Sequence, residues 1–262
     1  MEERFGPWRV ERRVASGALA EVVTARRDGD STAVAVKRLH PHQSRDADVV
    51  SLFDGEIRLT RDMAPHPRLV RGLDAGVADG RPWLALGLVD GADLRRRLDA
   101  GERPAPATAL ARVLDTCAAV EHMHGQGWIH GDVNPTNLLV DGAGQVTLCD
   151  LGVARRRGEG GPVRGTHAYM APEQVRGEPW TDATDVFALG VILWELIAGQ
   201  RLFFRGPTYL TMAAVVDAPA PPLADTALDA IVQRALHKDP AGRIATAAEL
   251  GALLRSYSAG LS

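Results

Sequence analysis

The first third of the chain alternates short apolar and polar runs with turn signals. Trp8 to Val14, Glu21 to Arg26, Thr32 to Leu39, Leu69 to Ala75 and Pro82 to Leu88 each read as a strand. One longer segment breaks this rhythm. Val49, Leu52, Phe53, Leu59 and Met63 mark an apolar stripe, which predicts a helix over residues 46 to 63. From Thr108 onward the period becomes mostly helical. Leu110, Val113, Leu114, Cys117 and Ala118 share one face, and further helices are expected over 182–198, 227–236 and 247–257. Gln145 to Cys149 reads as a short strand between them. A β-rich first third joined to a helical remainder predicts an α+β chain of two lobes with a cleft between them.

Charge and composition remove several function classes. The 262 residues are 45% hydrophobic, enough for a sizeable core, and the net charge of −3 offers no general attraction to nucleic acid or an anionic membrane. Cys117 and Cys149 are the only cysteines, with no spacing that suggests a metal site or a disulfide framework. The N-terminal sequence lacks a signal-peptide core. The apolar run Val186 to Gly199 carries Glu195 and is too short to span a bilayer. A cytoplasmic setting with no membrane segment is therefore expected. The chain is read as beginning just before the first strand and ending after a final helix, either free-standing or a domain of a longer protein.

Of 30 basic side chains only Lys37 and Lys238 are lysine; the others are arginine. A lysine kept in such a chain points to a need for its compact point charge. Lys37 lies in the apolar strand sequence AVAVKRL, and Glu56 falls on the apolar face of the predicted helix. A carboxylate on a core face needs a cation or hydrogen-bond donor, and Lys37 is the candidate; a partly exposed acid at the stripe's edge is the plainer reading.

Several motifs follow in order. VAVK supplies Lys37, and Glu56 comes nineteen residues later; HGDVNPTN supplies Asp132 and Asn137, DLG supplies Asp150, APE ends at Glu173, and DVFALG and KDPAGR carry Asp185 and Arg243. Each tetrad alone is weak, but the ordered set is specific. The chain resembles eukaryotic-like Ser/Thr protein kinases, of the kind bacteria also carry, over nearly its whole length.

That resemblance implies a bilobal protein-kinase-like fold in one domain: a small β-rich lobe with one main helix over 1–86, a hinge over 87–93, and a larger, mainly helical lobe over 94–262. It implies ATP and Mg2+ as cofactors and a protein substrate. Lys37, steadied by Glu56, would hold the α- and β-phosphates; Asn137 and Asp150 would bind the metal; Asp132 would accept the proton of the substrate hydroxyl. Val14 and Gly17 belong to the phosphate-covering segment, while Val22, Ala35 and Leu139 match positions that sandwich the base. Backbone groups of Gly87 and Val89 would pair with adenine, and Asp93 would reach the ribose. Glu173 and Arg243 resemble a structural ion pair.

Three departures from the family pattern matter. The phosphate-covering loop VASGALAEV keeps only Gly17, with Ala15 and Ala20 where glycine is usual, so weaker or slower nucleotide handling is expected. Asn134 stands where the family carries a lysine that contacts the transferring phosphate. Loss of one charge-assisted hydrogen bond costs about 1.5–3 kcal/mol, or about ten- to a hundred-fold in rate, part of which an amide would recover. Gly131 replaces the arginine that pairs with a phosphorylated activation loop, and the stretch Leu151 to Gly165 contains no Ser, Thr or Tyr. Activation-loop phosphorylation is accordingly expected not to switch the protein on. Thr166 is read as supporting the catalytic aspartate.

The arginine triplets Arg95 to Arg97 and Arg155 to Arg157 read either as solvated surface or as recognition of acidic groups or phosphate. Two other functional readings stay open: a nucleotide-binding pseudokinase scaffold, favoured by the three departures, and a phosphotransferase acting on a small molecule or biosynthetic peptide, favoured by the HGD triplet. The substrate, the regulator and the oligomeric state are not legible.

Overall fold

The computed structural model describes residues 3–260, which form two compact units. The first holds Val70–Asp90 and the described residues up to His66; the second holds Pro67–Leu69 and the described residues from Gly91 onward. The division after Asp90 falls within the segment 87–93 expected as the hinge. Pro67–Leu69, expected in the small lobe, groups instead with the second unit. The reason is local: the Leu148 amide donates to the Arg68 carbonyl at 2.8 Å, and Arg68 pairs with Asp115 at 3.0 Å.

The first unit is an antiparallel sheet of β1 (Glu3–Phe5), β2 (Trp8–Ser16), β3 (Ala20–Arg27), β4 (Val34–Leu39), β5 (Gly72–Ala78) and β6 (Arg81–Gly87), in the order β1-β2-β3-β4-β6-β5. One face buries Phe5, Trp8, Val23, Val36, Trp83 and Ala85. Trp8 and Trp83 meet edge to face at 5.3 Å between centroids, a geometry that suits the ring quadrupoles. Helix α1 (Ala47–Asp62) packs on β5 and β6. Its start is set by Asp46, whose carboxylate accepts from the Asp48 and Val49 amides, as an N-cap does. Phe53, Glu56, Leu59 and Thr60 are its buried residues, so the acid expected on the apolar face is there.

The second unit contains β7 (Gly91–Asp93), α2 (Leu94–Asp99), α3 (Pro106–Gly125), β8 (Trp128–Ile129), β9 (Leu138–Asp141), β10 (Val146–Leu148), β11 (Arg155–Arg156), α4 (Pro172–Val175), α5 (Asp182–Ala198), α6 (Thr208–Asp217), α7 (Thr226–Ala235) and α8 (Ala247–Ala259). Strands β7, β9 and β10 form one small sheet, and β8 pairs with β11. Helix α5 is buried from Ala183 through Leu196, as its all-round apolar sequence requires, with α3, α7 and α8 packed on it. Among the described residues, no helix is long and apolar enough to cross a membrane.

Candidate active site

Each unit assembles its own share of the expected residues. In the first, Lys37 Nζ lies 2.6 Å from Glu56 Oε1, with side chains only 15% and 6% exposed. The pairing follows from register. Lys37 sits in β4 between Val22 of β3 and Leu84 of β6, and α1, which carries Glu56, packs on the neighbouring β6 and β5. Ala35, two residues before Lys37, shares its face of the strand. Val14 is exposed and falls at a bulge in the β2–β3 ladder. The loop that follows closes tightly: the Gly17 amide donates to the Ala20 carbonyl at 2.8 Å, and His40 Nε2 lies 2.9 Å from the Gly17 carbonyl. Gly17 needs no positive φ here, and a Cβ would meet only the Ala20 oxygen at 3.6 Å. Glycine's conformational freedom is thus not what shapes this turn. Gly87 and Val89 lie at the end of β6 and just beyond it. The Gly87 amide already donates to the Arg71 carbonyl at 2.9 Å, so pairing with adenine through that N–H is excluded.

In the second unit the segment after β8 wraps around Asp132. Its Oδ1 accepts the Thr166 amide at 2.8 Å, and its Oδ2 lies 3.2 Å from Asn137 Nδ2. Asn137 Nδ2 also donates to the Asp132 carbonyl at 2.9 Å. With its nitrogen so placed, the Asn137 amide oxygen remains the atom suited to a hard cation. Asp150 is exposed and held at φ +67°, with Oδ1 accepting the Gly152 amide at 3.2 Å. A non-glycine residue in this left-handed region marks a constrained position. Burial pushes the Asp132 carboxyl above the usual aspartate range and the charge of Asp150 adds to the rise, while the Thr166 amide pulls the other way. Among the described residues, no group of three or more His, Cys, Asp or Glu side chains gathers around one point. The oxygen donors of Asn137 and Asp150 fit Mg2+, which takes one or two protein oxygens together with phosphates and water.

Asn134 does not sit where the sequence reading put it. It is fully buried at 0% exposure; Nδ2 donates to the Asp132 carbonyl at 3.0 Å, and Oδ1 accepts from the Thr136 amide at 2.8 Å and hydroxyl at 2.5 Å. The side chain closes a local turn and has no face toward a substrate. The expectation that its amide partly replaces the absent lysine is therefore corrected: both ends of the Asn134 side chain are taken up by hydrogen bonds within the loop itself. Asp93 also has a structural duty, its Oδ1 accepting the Arg96 amide at 2.8 Å as the cap of α2. Leu139 pairs across from it in the β7–β9 ladder.

The profile of the protein kinase domain matches residues 8–252. The chain belongs to that family. It is 32% identical over 266 residues to a probable serine/threonine-protein kinase of Corynebacterium efficiens, covering 94% of this chain and 40% of that protein. It is 34% identical over 253 residues to serine/threonine-protein kinase PknB of Mycolicibacterium smegmatis, covering 90% and 40% respectively. The chain thus spans about two fifths of the length of these bacterial Ser/Thr kinases. The α+β architecture of the two units is that of the kinase fold.

In this kinase domain the catalytic loop is anchored from below by Asp185. Its carboxylate accepts the His130 amide at 2.9 Å and the Gly131 amide at 2.8 Å, and lies 2.8 Å from His124 Nε2. Glu173 and Arg243 form a bidentate pair at 2.8 and 3.1 Å, buried, with Thr184 and the carbonyls of Ala183 and His237 completing it. His124, Trp180 and Gln174 were not flagged by any motif, yet each touches the catalytic loop or its anchor. Gln174 Nε2 donates to the Gly131 carbonyl at 2.8 Å.

Gly131 explains the missing arginine. Its φ is +74°, and a Cβ built there would overlap the ring of Trp180. The Trp180 ring in turn lies 5.0 Å from the Arg155 guanidinium. Gly131→Arg is expected to destabilise the domain by at least about 1–2 kcal/mol from the left-handed backbone alone, with the overlap adding to that. Denaturant unfolding of the variant would show this loss, and equal midpoints in the two proteins would refute it.

Proposed function

We propose that the chain is an ATP- and Mg2+-dependent Ser/Thr protein kinase that operates without activation-loop phosphorylation. The observation that carries this reading is the organisation of Asp132: a half-buried carboxylate, held by the Thr166 and Asn137 N–H groups, with a proton affinity raised above that of an ordinary aspartate. The substrate hydroxyl attacks the γ-phosphorus, the new O–P bond forms as the bond to the ADP oxygen breaks, and Asp132 takes the hydroxyl proton. Lys37, aligned by Glu56, neutralises charge on the α- and β-phosphates. Bound magnesium would supply charge neutralisation between the phosphates, with Asn137 and Asp150 as its protein ligands. The xPxN frame of the catalytic loop favours Ser and Thr acceptors.

Independence from phosphorylation rests on three arginines that secure the activation segment within its own unit. Arg155 stacks on Trp180, Arg156 lies 4.2 Å from the Trp128 ring, and Arg157 donates to Asp182 at 2.7 and 3.0 Å and to the His124 carbonyl at 2.7 Å. These contacts support reading the triplet at 155–157 as a structural clamp. Protein purified after phosphatase treatment is expected to keep its full initial rate, with no phosphate mapped to Thr166 or Tyr169, the hydroxyl residues of the segment 150–173. Stoichiometric phosphate in the segment, with a matching rise in rate, would refute this.

Incubation with ATP labelled at the γ-phosphate tests the main reading. Transfer to protein hydroxyls is expected. Magnesium-dependent nucleotide binding without transfer would establish the scaffold reading, which the burial of Asn134 favours because no cation occupies its position. Transfer confined to a small hydroxylated acceptor would establish the third.

A further inference from the structure

A cavity of about 280 Å³ in the second unit lies between α2 and the end of α5, lined by three arginines, Arg95, Arg103 and Arg201, with Asp99 and Glu195 as the acids. The acids are already engaged. Glu195 Oε1 accepts from Arg201 Nε at 3.2 Å and the Leu202 amide at 2.9 Å, and its Oε2 accepts the Tyr169 hydroxyl at 2.7 Å. Asp99 Oδ1 pairs with Arg95 Nη2 at 2.8 Å. The arginines are not fully engaged. Among the described residues, Arg95 Nε and Nη1 have no hydrogen-bond partner, and Arg103 bonds only to the carbonyls of Leu98 and Glu102 at 3.3 and 2.9 Å. Arg95 Nε and Nη1 are covered and add positive charge to the wall, while the exposed Arg103 and the partly exposed Arg201 present the donors that an incoming anion can reach.

The place of the cavity within the fold says which anion. Its wall residue Glu195 holds Tyr169, which lies three residues beyond Thr166, the residue whose amide fixes Asp132. Its volume is at the low end for a small-molecule site and suits a single side chain. Both Glu195 oxygens are committed and Asp99 is paired through Oδ1 with Arg95, so three arginines against two acids leave the lining net positive.

We propose that this arginine pocket receives an anionic side chain, a carboxylate or a phosphoryl group, of the protein substrate, and so selects acidic sequences around the phospho-acceptor. The inference rests on the kinase reading above and sharpens it to a substrate class. Only the Arg95 end of the triplet 95–97 takes part. Arg97 is paired with Glu102 at 2.6 Å.

The test compares Ser/Thr peptides that carry Asp or Glu, phosphoserine, or Gln at the flanking positions, using the full chain. Wild type is expected to show kcat/KM for the acidic or phosphoserine peptide above that for the Gln peptide by about ten- to a hundred-fold, the worth of charge-assisted hydrogen bonds. Arg103→Glu, at an exposed position bonded only to main chain, is expected to bring that ratio to about one or below, chiefly through KM; Arg95→Gln is expected to lower it in part. Anisotropy of the labelled acidic peptide gives the same comparison as equilibrium binding. Transfer at equal efficiency to all peptides, unmoved by either variant, would overturn the pocket and leave the kinase reading standing. Charge-dependent binding lost in Arg103→Glu, with no transfer to any peptide, would uphold the pocket and overturn the kinase reading. The absence of both would overturn both.

Discussion

Asp132→Asn is expected to lower phosphoryl transfer by about a hundred- to ten-thousand-fold, the usual worth of a positioned general base, while nucleotide binding changes little. The substitution is nearly isosteric, and the new amide oxygen can still accept from the Thr166 amide that Asp132 Oδ1 accepts at 2.8 Å. The Asn137 nitrogen keeps the Asp132 carbonyl at 2.9 Å. What is lost is the ability to take a proton. The pH dependence gives an independent readout. Burial is the main cause that raises the Asp132 carboxyl, so the ionised, competent form appears only as pH rises through a midpoint above the ordinary aspartate value. The wild-type rate should therefore climb along an acid limb displaced upward from that value, and the residual rate of the variant should lack that limb. Single-turnover rates across pH, with magnesium and nucleotide saturating, would decide it. A variant within a few-fold of wild type would remove Asp132 from the chemistry.

Much of this site could be read from the sequence because its parts are tied to local patterns. The α1 stripe put Glu56 on a buried face, and the apolar run of β4 singled out Lys37, which pairs with it at 2.6 Å. Helix α5 was legible to its ends because its apolar run is long and continuous. Short elements were not: α2 and β7 are held by the Asp93 cap and by pairing with β9, neither of which leaves a periodic signature. Helix α6 was missed for a different reason. Tyr209 and Leu210 are exposed, and Thr211 and Val215 are its only buried residues, so there is no apolar stripe to see. The role of Asn134 was misread because a motif position says which residue is present and not which way it faces; its orientation is fixed by Thr136 and the Asp132 carbonyl. The reason for Gly131 was likewise invisible, because the ring that excludes a side chain there comes from Trp180, far along the chain.

Asp185→Ala should be the most damaging single change to the second unit, costing about 3–5 kcal/mol of stability and most of the activity with it. The carboxylate takes the His130 and Gly131 amides and faces His124 Nε2, all within 2.9 Å and fully buried, so its removal leaves several donors without an acceptor. Those two amides immediately precede Asp132, so the loss would also release the base from its position. A pH signature separates this role from simple packing. Burial opposes ionisation of Asp185, but the hydrogen bond and charge of His124, the charge of His130 and the Gly131 amide outweigh it, and the carboxyl is held below the usual range. A group whose folded-state affinity for protons is depressed contributes stability in full above its unfolded pKa, about 3.9 for aspartate. That contribution is lost as pH falls through the folded value. Wild type should therefore lose stability in acid below about pH 4, and Asp185→Asn, which keeps the shape without the charge, should start lower and lose less over the same range. Denaturant midpoints of the three proteins from neutral pH into acid would measure this. Parallel curves for wild type and Asp185→Asn would show that the charge of Asp185 does not hold the catalytic loop.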